Sequence, residues 1–393
     1  MIAEARDVLD ERVDDGVPSW CERRGWTEAL LAIEEGEVRA CEAEGLVGRA
    51  RRIADLPASL ADLAAAIEEI TRLPAIEATP IDAGGERSIR ARKVPQLEAL
   101  LGAVDAMAVS ARRILDVGSG SGHFTYLAAE AFDREALGIE RDPARVEAAR
   151  ARVIDREADA RFTVVDAGRE GLAFERDDLA VGLHACGALG DRIARAAAEA
   201  GCDVALVSCC LQKIDGPVRE ALSRAAGGLA LRKETLGLSN LTSQARGVEA
   251  TIEATMDARR ARHALLRLLR ERGIEVAPGE EMRGINRRRA HRGLGMIAEK
   301  ALALRGLAPP TDAEIERHER EGARSFERVR RLSLPRNMLS RAVEIAVGLD
   351  RAAALEEGGL DTRVGTVFDR AVTPRNVGIF ASRDGARLPR LGA

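Results

Sequence analysis

Aromatic residues are scarce in this chain. Two Trp, one Tyr and seven Phe make up 3% of its 393 residues. A protein that reads nucleic acid by stacking bases on rings needs more, so base-stacking platforms are not expected. Trp20 and Trp26 are expected to pack in a core instead. Lysine is scarcer still: of 60 basic residues only Lys93, Lys213, Lys233 and Lys300 are lysine, and the rest are arginine. With so much alanine beside it, that bias reads as a coding habit, and arginine alone is no phosphate-binding signature. No apolar run reaches membrane-spanning length, and the acidic N-terminal stretch has no signal-peptide pattern. A cytoplasmic location and no membrane partner are therefore expected. Six cysteines in so long a chain make no disulfide framework, and a reducing compartment favours free thiols. Nothing in the composition points to an obligate protein partner.

What is present is organised around Arg113-Ile114-Leu115-Asp116-Val117-Gly118-Ser119-Gly120-Ser121-Gly122-His123-Phe124. An apolar run of strand length ends in an acid, passes three alternate glycines and enters a helical segment, Phe124–Phe132. Glycines let a ligand approach the backbone, and a helix start offers free N–H groups, which suits an adenosine-containing ligand. A dinucleotide fingerprint reads G-x-G-x-x-G and aims its helix at a pyrophosphate. Here the spacing is G-x-G-x-G, and the charge of Asp116 would repel phosphate. A cationic ligand suits that acid better. S-adenosylmethionine carries a sulfonium and an ammonium and no phosphate, so it is the expected cofactor. A nicotinamide enzyme is the competing reading of the same turn.

From residue 112 the pattern alternates strand and helix, which predicts a doubly wound parallel sheet. Strands are expected at Ile114–Val117, Ala136–Glu140, Phe162–Val165, Leu179–Leu183 and Asp203–Ser208, with helices at Ala144–Ile154 and Leu189–Ala200. Acids fall where adenosine needs them. Glu140 closes the second strand, 24 residues after Asp116, placed to accept from both ribose hydroxyls. Asp166 closes the third and would accept from the adenine amino group. Asp116 remains for the turn and the methionine ammonium. Asp116, Gly118, Gly120, Gly122, Glu140 and Asp166 form the expected cofactor set.

Strands four and five end on His184-Ala185-Cys186-Gly187 and Cys209-Cys210, which should share a crevice at the switch point of the sheet. His184, Cys209 and Cys210 are the candidates to face the methyl acceptor. Small residues lining a tight pocket, a substrate-facing His184, or a zinc site from His184, Cys186, Cys209 and Cys210 all stay open. No metal is assigned, because adjacent cysteines make poor simultaneous ligands. Amino-directed methyltransferases often carry an Asp/Asn-Pro-Pro-aromatic tetrapeptide after strand four. His-Ala-Cys-Gly stands there instead, which argues against adenine-N6 and glutamine-amide methylation. Gly237–Gln244 reads as a polar loop at the floor of the pocket.

The flanks read as helices. Over residues 1–70, seventeen acids face eight arginines, whereas residues 256–300 hold twelve basic residues against six acids. Pro74, Pro80, Gly84 and Gly85 mark a linker, and Pro95 sits near the start of a helix. Helices at Ala264–Leu269, Leu294–Leu304, Asp312–Arg331 and Met338–Leu355 precede strands at Val364–Arg370 and Val377–Ala381. We expect an N-terminal helical region (1–90), a core (91–255), a basic helical insertion (256–335) and the end of the core (336–393). Arg259, Arg260, Arg262, Arg267, Arg270, Arg287, Arg288, Arg289, His291 and Arg292 make RNA the expected partner.

Val181-Gly182-Leu183-His184-Ala185-Cys186-Gly187, Val207-Ser208-Cys209-Cys210, and Phe368-Asp369 with Thr373-Pro374-Arg375-Asn376 carry a resemblance. Together they resemble a methyltransferase family that groups the methyltransferase-like, RNA-methyltransferase-related proteins of eukaryotes with the glutathione S-transferase C-terminal-domain-containing protein. The chain is more distantly similar to tRNA 2′-O-methyltransferases that modify position four of the acceptor stem. The resemblance spans roughly residues 90–255 and 340–385. It implies a Rossmann-like class I methyltransferase with a seven-stranded, mostly parallel sheet, S-adenosylmethionine as methyl donor, and RNA, tRNA foremost, as acceptor. A small-molecule or protein acceptor and a cofactor-binding module without catalysis are the alternatives.

Overall fold

A computed structural model describes residues 2–82, 89, 93–154, 156, 158–243, 249–276 and 279–392. Gly84, Gly85 and Gln244 of the expected linker and pocket loop lie outside the described residues. The chain divides into two compact units. One holds residues 69–243 and 340–393 with the first four residues, and the other holds 5–68 and 244–339. The N-terminal helices and the inserted helices thus belong to one body.

The first unit is a seven-stranded sheet between helical layers. Its strands are β1 (Arg113–Val117), β2 (Glu135–Glu140), β3 (Ala160–Val164), β4 (Asp178–Leu183), β5 (Asp203–Val207), β6 (Asp361–Thr366) and β7 (Val377–Ser382), in the spatial order β3-β2-β1-β4-β5-β7-β6. The first five pair in parallel. β7 runs antiparallel to both β5 and β6. This is the Rossmann-like class I arrangement expected from the sequence. The order reverses between β1 and β4, which opens a crevice beyond their carboxyl ends.

The pattern of the strands explains the layers. Leu179, Val181, Ala205 and Val207 point to one face, where they meet α1 (Val94–Ser110) and α2 (His123–Phe132). Ala180, Val204 and Leu206 point to the other, against α4 (Ala188–Ala200) and α5 (Ser340–Glu357). Alternate residues go to opposite faces and both faces are covered, so these strands are apolar throughout. On α3 (Pro143–Val153), Val146 and Ala149 pack on Phe162. A small antiparallel pair, Val218–Arg219 with Leu231–Arg232, was not foreseen. β6 ends at Thr366, earlier than Arg370, and the Val367 N–H still reaches the Asn376 carbonyl opposite it at 2.9 Å.

The second unit is helical. Leu265, Leu268, Leu269, Ile297 and Leu302 form one core in it. Trp20 and Trp26 are fully buried, edge to face with ring centres 6.1 Å apart, and their indole N–H groups reach the Glu11 carbonyl and Ser59 Oγ. That fits packing and leaves neither indole free to stack on a base. The helix Asp312–Met338 starts in a capping box between Thr311 and Glu314. Among the described residues, no helix is long and apolar enough to cross a membrane.

Candidate functional site

The glycine turn after β1 is built as its spacing suggests. Gly118, Gly120 and Gly122 have φ of +81°, +58° and +76°, in the left-handed region that glycine enters without strain. Gly122 also lacks room for a side chain, since a Cβ there would sit 2.5 Å from the Phe162 ring. A Cβ at Gly118 would touch the Leu189 side chain at 3.4 Å, whereas one at Gly120 would meet nothing closer than 3.9 Å. The turn is pinned to β2 by the Gly118 N–H on the Ile139 carbonyl at 2.7 Å.

Glu140, 8% exposed, closes β2 and ties two loops together. Its Oε2 accepts from the Gly120 N–H at 3.0 Å, and its Oε1 accepts from the N–H groups of Arg141 and Asp142 at 2.9 and 3.1 Å. A carboxylate offers about four acceptor positions, so room remains on Oε2 for a ribose hydroxyl. Asp166 is placed differently. β3 stops at Val164, and two residues later the Asp166 carboxylate accepts from the Gly168 N–H at 2.9 Å, closing a turn.

Asp116 lies inside β1 and is 2% exposed. Its Oδ2 accepts from the Thr125 hydroxyl at 2.7 Å. Burial, with the nearby Glu140 charge, pushes its carboxyl up to about 7, against the pull of Thr125. The folded carboxyl thus keeps its proton up to about pH 7, whereas the unfolded one releases it near 3.8. This group therefore weakens the fold progressively as pH rises from about 4 to 7. Asp116→Asn keeps the Thr125 contact but cannot ionise. Relative to the parent, it should gain on the order of 1 kcal/mol for each unit of pH across that window, levelling off above 7. Urea unfolding at pH 5, 6, 7 and 8 measures this, and a pH-independent difference would refute the assignment.

β4 and β5 are neighbours, so their tips bring the second set of candidates together. His184 has a left-handed backbone, φ +64°, unusual for a side-chain-bearing residue and typical of functional sites. Its Nε2 donates to Gln96 Oε1 at 3.1 Å, which leaves Nδ1 with a lone pair. Burial, and after it the charges of Lys93 and Arg375, hold this imidazole below its ordinary pKa. It is therefore a neutral base near pH 7. Gln96 was not foreseen. Its only sequence signal is its place beside Pro95 in the first turn of α1.

The three sulfurs of Cys186, Cys209 and Cys210 lie within 4.8 Å of one another, all half-buried. His184 does not join them, since its ring turns to Gln96. Pairing of β4 with β5 puts the Cα atoms of Cys186 and Cys209 5.4 Å apart and brings their sulfurs into contact. Cys21, Cys41 and Cys202 are buried free thiols.

What holds the two tips together was missed by the sequence reading. Arg351 of α5 is wholly buried. It donates to the Gly187 carbonyl after β4 at 2.8 Å, to Ser208 Oγ after β5, and to Asp191 at 2.8 Å. Arg219 bridges Asp191 at 2.9 Å and Asp350 at 2.8 Å. Asp350 in turn accepts from the N–H groups of Leu222 and Ser223. Among so many arginines, nothing marked Arg351 as special.

The expected RNA-facing arginines fall into two groups. Arg260 meets Asp257, Arg262 meets the buried Glu281, Arg267 meets Asp15, and Arg270 meets Asp14. Arg259 is held below the usual guanidinium range by burial. Arg287, Arg288, Arg289, His291 and Arg292, on a short helical turn, are exposed.

Residues 92–217 match the family model described as a methyltransferase domain, about a third of the chain. No curated protein matches. Solved structures similar to parts of the chain include the sugar N-methyltransferase KedS8 from Streptoalloteichus, at 22% identity over 34% of this chain and 55% of that one, TM-score 0.24. The CcbJ methyltransferase from Streptomyces caelestis is similar at 18% identity over 36% and 57%, TM-score 0.25. The chain spans about half the length of the first structures it matches, 47% and 49%. A methyltransferase domain on this sheet takes its methyl group from S-adenosylmethionine. The glycine turn, beside the two buried carboxyls of Asp116 and Glu140, fits that cationic cofactor.

Proposed function

We propose that this protein is an S-adenosylmethionine-dependent methyltransferase acting on RNA, with tRNA the favoured acceptor. The methyltransferase reading is carried by the glycine turn and Glu140 on the β3-β2-β1-β4-β5-β7-β6 sheet. The RNA reading is supported by the exposed cluster Arg287, Arg288, Arg289 and Arg292, for which no carboxylate lies within ion-pair distance among the described residues. S-adenosylmethionine supplies a methyl group on a positively charged sulfur, ready for in-line displacement. Gly118, Gly120 and Gly122 let the backbone lie against the nucleoside, and Glu140 accepts from the ribose. Asp116, which ionises at about pH 7, contributes negative charge near the sulfonium and ammonium above that pH. His184, neutral and oriented by Gln96, takes the proton from an acceptor hydroxyl at Nδ1. Cys186, Cys209 and Cys210 shape the pocket around that acceptor. Most of the rate enhancement comes from orientation.

Incubation with methyl-labelled cofactor and fractionated total RNA, beside cell extract, tests this reading. Label should enter small RNA. Retention of tRNA should fall steeply with salt. Replacing Arg287, Arg288, Arg289 and Arg292 by serine should lower the salt slope by about one for each phosphate that is no longer neutralised. Label confined to protein or small molecules would remove RNA as the substrate, and no label in any fraction would remove the enzyme.

A further inference from the structure

The loop between β6 and β7 holds a cation whose partners do not account for it. Arg375 is 7% exposed. Its Nη2 donates to Asn240 Oδ1 at 2.8 Å, while Nε and Nη1, both buried, reach no acceptor among the described residues. Guanidinium carries five N–H donors, and the three on these two nitrogens are unused. A buried charge with most of its donors unused is costly, and a bound ligand is one way in which such a group is completed.

The surrounding groups do not offer themselves. Glu344, 4% exposed, is close enough for its charge to be felt at Arg375, yet its Oε2 is taken by Arg341 at 2.8 Å and its Oε1 meets no donor among the described residues. Asn376 is spent between Arg341 and the Phe368 carbonyl. A buried acid and a buried base thus stand near each other, each with free polar atoms, and do not pair.

Topology says which side of the crevice this is. β7 pairs antiparallel with β5, Gly378 opposite Val207. Arg375 therefore enters β7 at the edge where β5 delivers Ser208, Cys209 and Cys210. Its charge reaches His184. Glu140, at the tip of β2, is four strand spacings from β7, about 19 Å. The group completing Arg375 belongs to the acceptor side.

We propose that Arg375, with Asn240, forms a buried subsite for an oxyanion, carboxylate or phosphate, on the methyl acceptor. The word acceptor rests on the methyltransferase reading, whereas the subsite does not. An oxyanion takes the free N–H groups, and a donor beside it can satisfy Glu344 Oε1. The subsite gives the crevice a preference for acidic acceptors and fixes the reacting atom relative to His184.

The test uses the full chain without cofactor. Thermal unfolding is followed at constant ionic strength as chloride is replaced by inorganic phosphate or by acetate. One or both should raise the Tm of the parent, phosphate pointing to a phosphorylated acceptor and acetate to a carboxylic one. Arg375→Met should weaken the effective anion at least tenfold, and Arg375→Lys should weaken it less. Glu344→Gln, which removes a competing charge, should tighten it several-fold and covers the case in which Arg375→Met does not fold. The variant with serine at Arg287, Arg288, Arg289 and Arg292 should respond like the parent. No response to either anion, an undiminished response in Arg375→Met, or loss of response only in the four-serine variant would overturn the proposal. A responding protein that transfers no label to any acceptor would leave the subsite standing and remove the methyltransferase reading instead.

Discussion

Replacing Arg351 by methionine should lower the unfolding free energy of the sheet-bearing unit by about 3–5 kcal/mol. The change keeps much of the length of the side chain and removes its charge. Asp191 then loses a buried partner at 2.8 Å, and the Gly187 carbonyl and Ser208 Oγ lose their donor. Arg219 still faces Asp191, so some compensation survives, but the tips of β4 and β5 lose a side chain that grips both. Burial pushes Arg351 towards its neutral form, and the carboxylates of Asp191 and Asp350 oppose that. A second substitution sharpens the test. Asp191→Leu in the Arg351→Met background removes the stranded acid and should recover part of the loss, because apolar replacement of a whole buried pair is often neutral. Urea midpoints at unchanged m-value measure both. A loss below about 1 kcal/mol for the single variant would mean that the network is ornamental.

The second large effect concerns the cofactor. Glu140→Ala should weaken S-adenosylmethionine binding well over tenfold. Two losses combine: the acceptor for the ribose, and the carboxylate that pins the Gly120, Arg141 and Asp142 N–H groups. Unpinned, the glycine turn samples conformations that do not bind, and the apparent affinity falls by the fraction still competent. Glu140→Gln, which can keep part of the backbone contacts, should fall between. Titration calorimetry reads both variants, and unchanged affinity in Glu140→Ala would take the ribose contact away from this residue.

The sheet was legible because both of its faces are buried. Runs such as Leu179–Leu183 and Asp203–Val207 are nearly all apolar, and each closes on a polar or small residue at the crevice. The glycine turn was legible because three left-handed positions demand three glycines. Side-chain partnerships were not. Asp166 reads as an adenine acceptor when counted from the strand; the sequence does not show that it lies two residues past β3 and also closes a turn on the Gly168 N–H. Arg260 and Arg262 look like free cations in a basic helix, yet they answer Asp257 and Glu281. Arg351 and Arg375 are costly arginines for this fold, and in sequence they are two among dozens. Their distinction is burial, which local spacing does not encode when the partners lie 160 and 135 residues away.

The antiparallel strand β7 has a consequence for how the protein is made. β5 ends at Val207, and the strand that covers its open edge begins at Val377. At elongation rates of about 5–20 residues per second, the ribosome needs roughly ten to thirty seconds to deliver that strand. During the wait the nascent domain shows a bare, nearly apolar β-edge, the kind of template that recruits another chain. The helical unit, completed by residue 339, can collapse in the meantime and gather much of the intervening chain into one body. Closure by so late a strand lengthens the time for which that edge can pair with another chain.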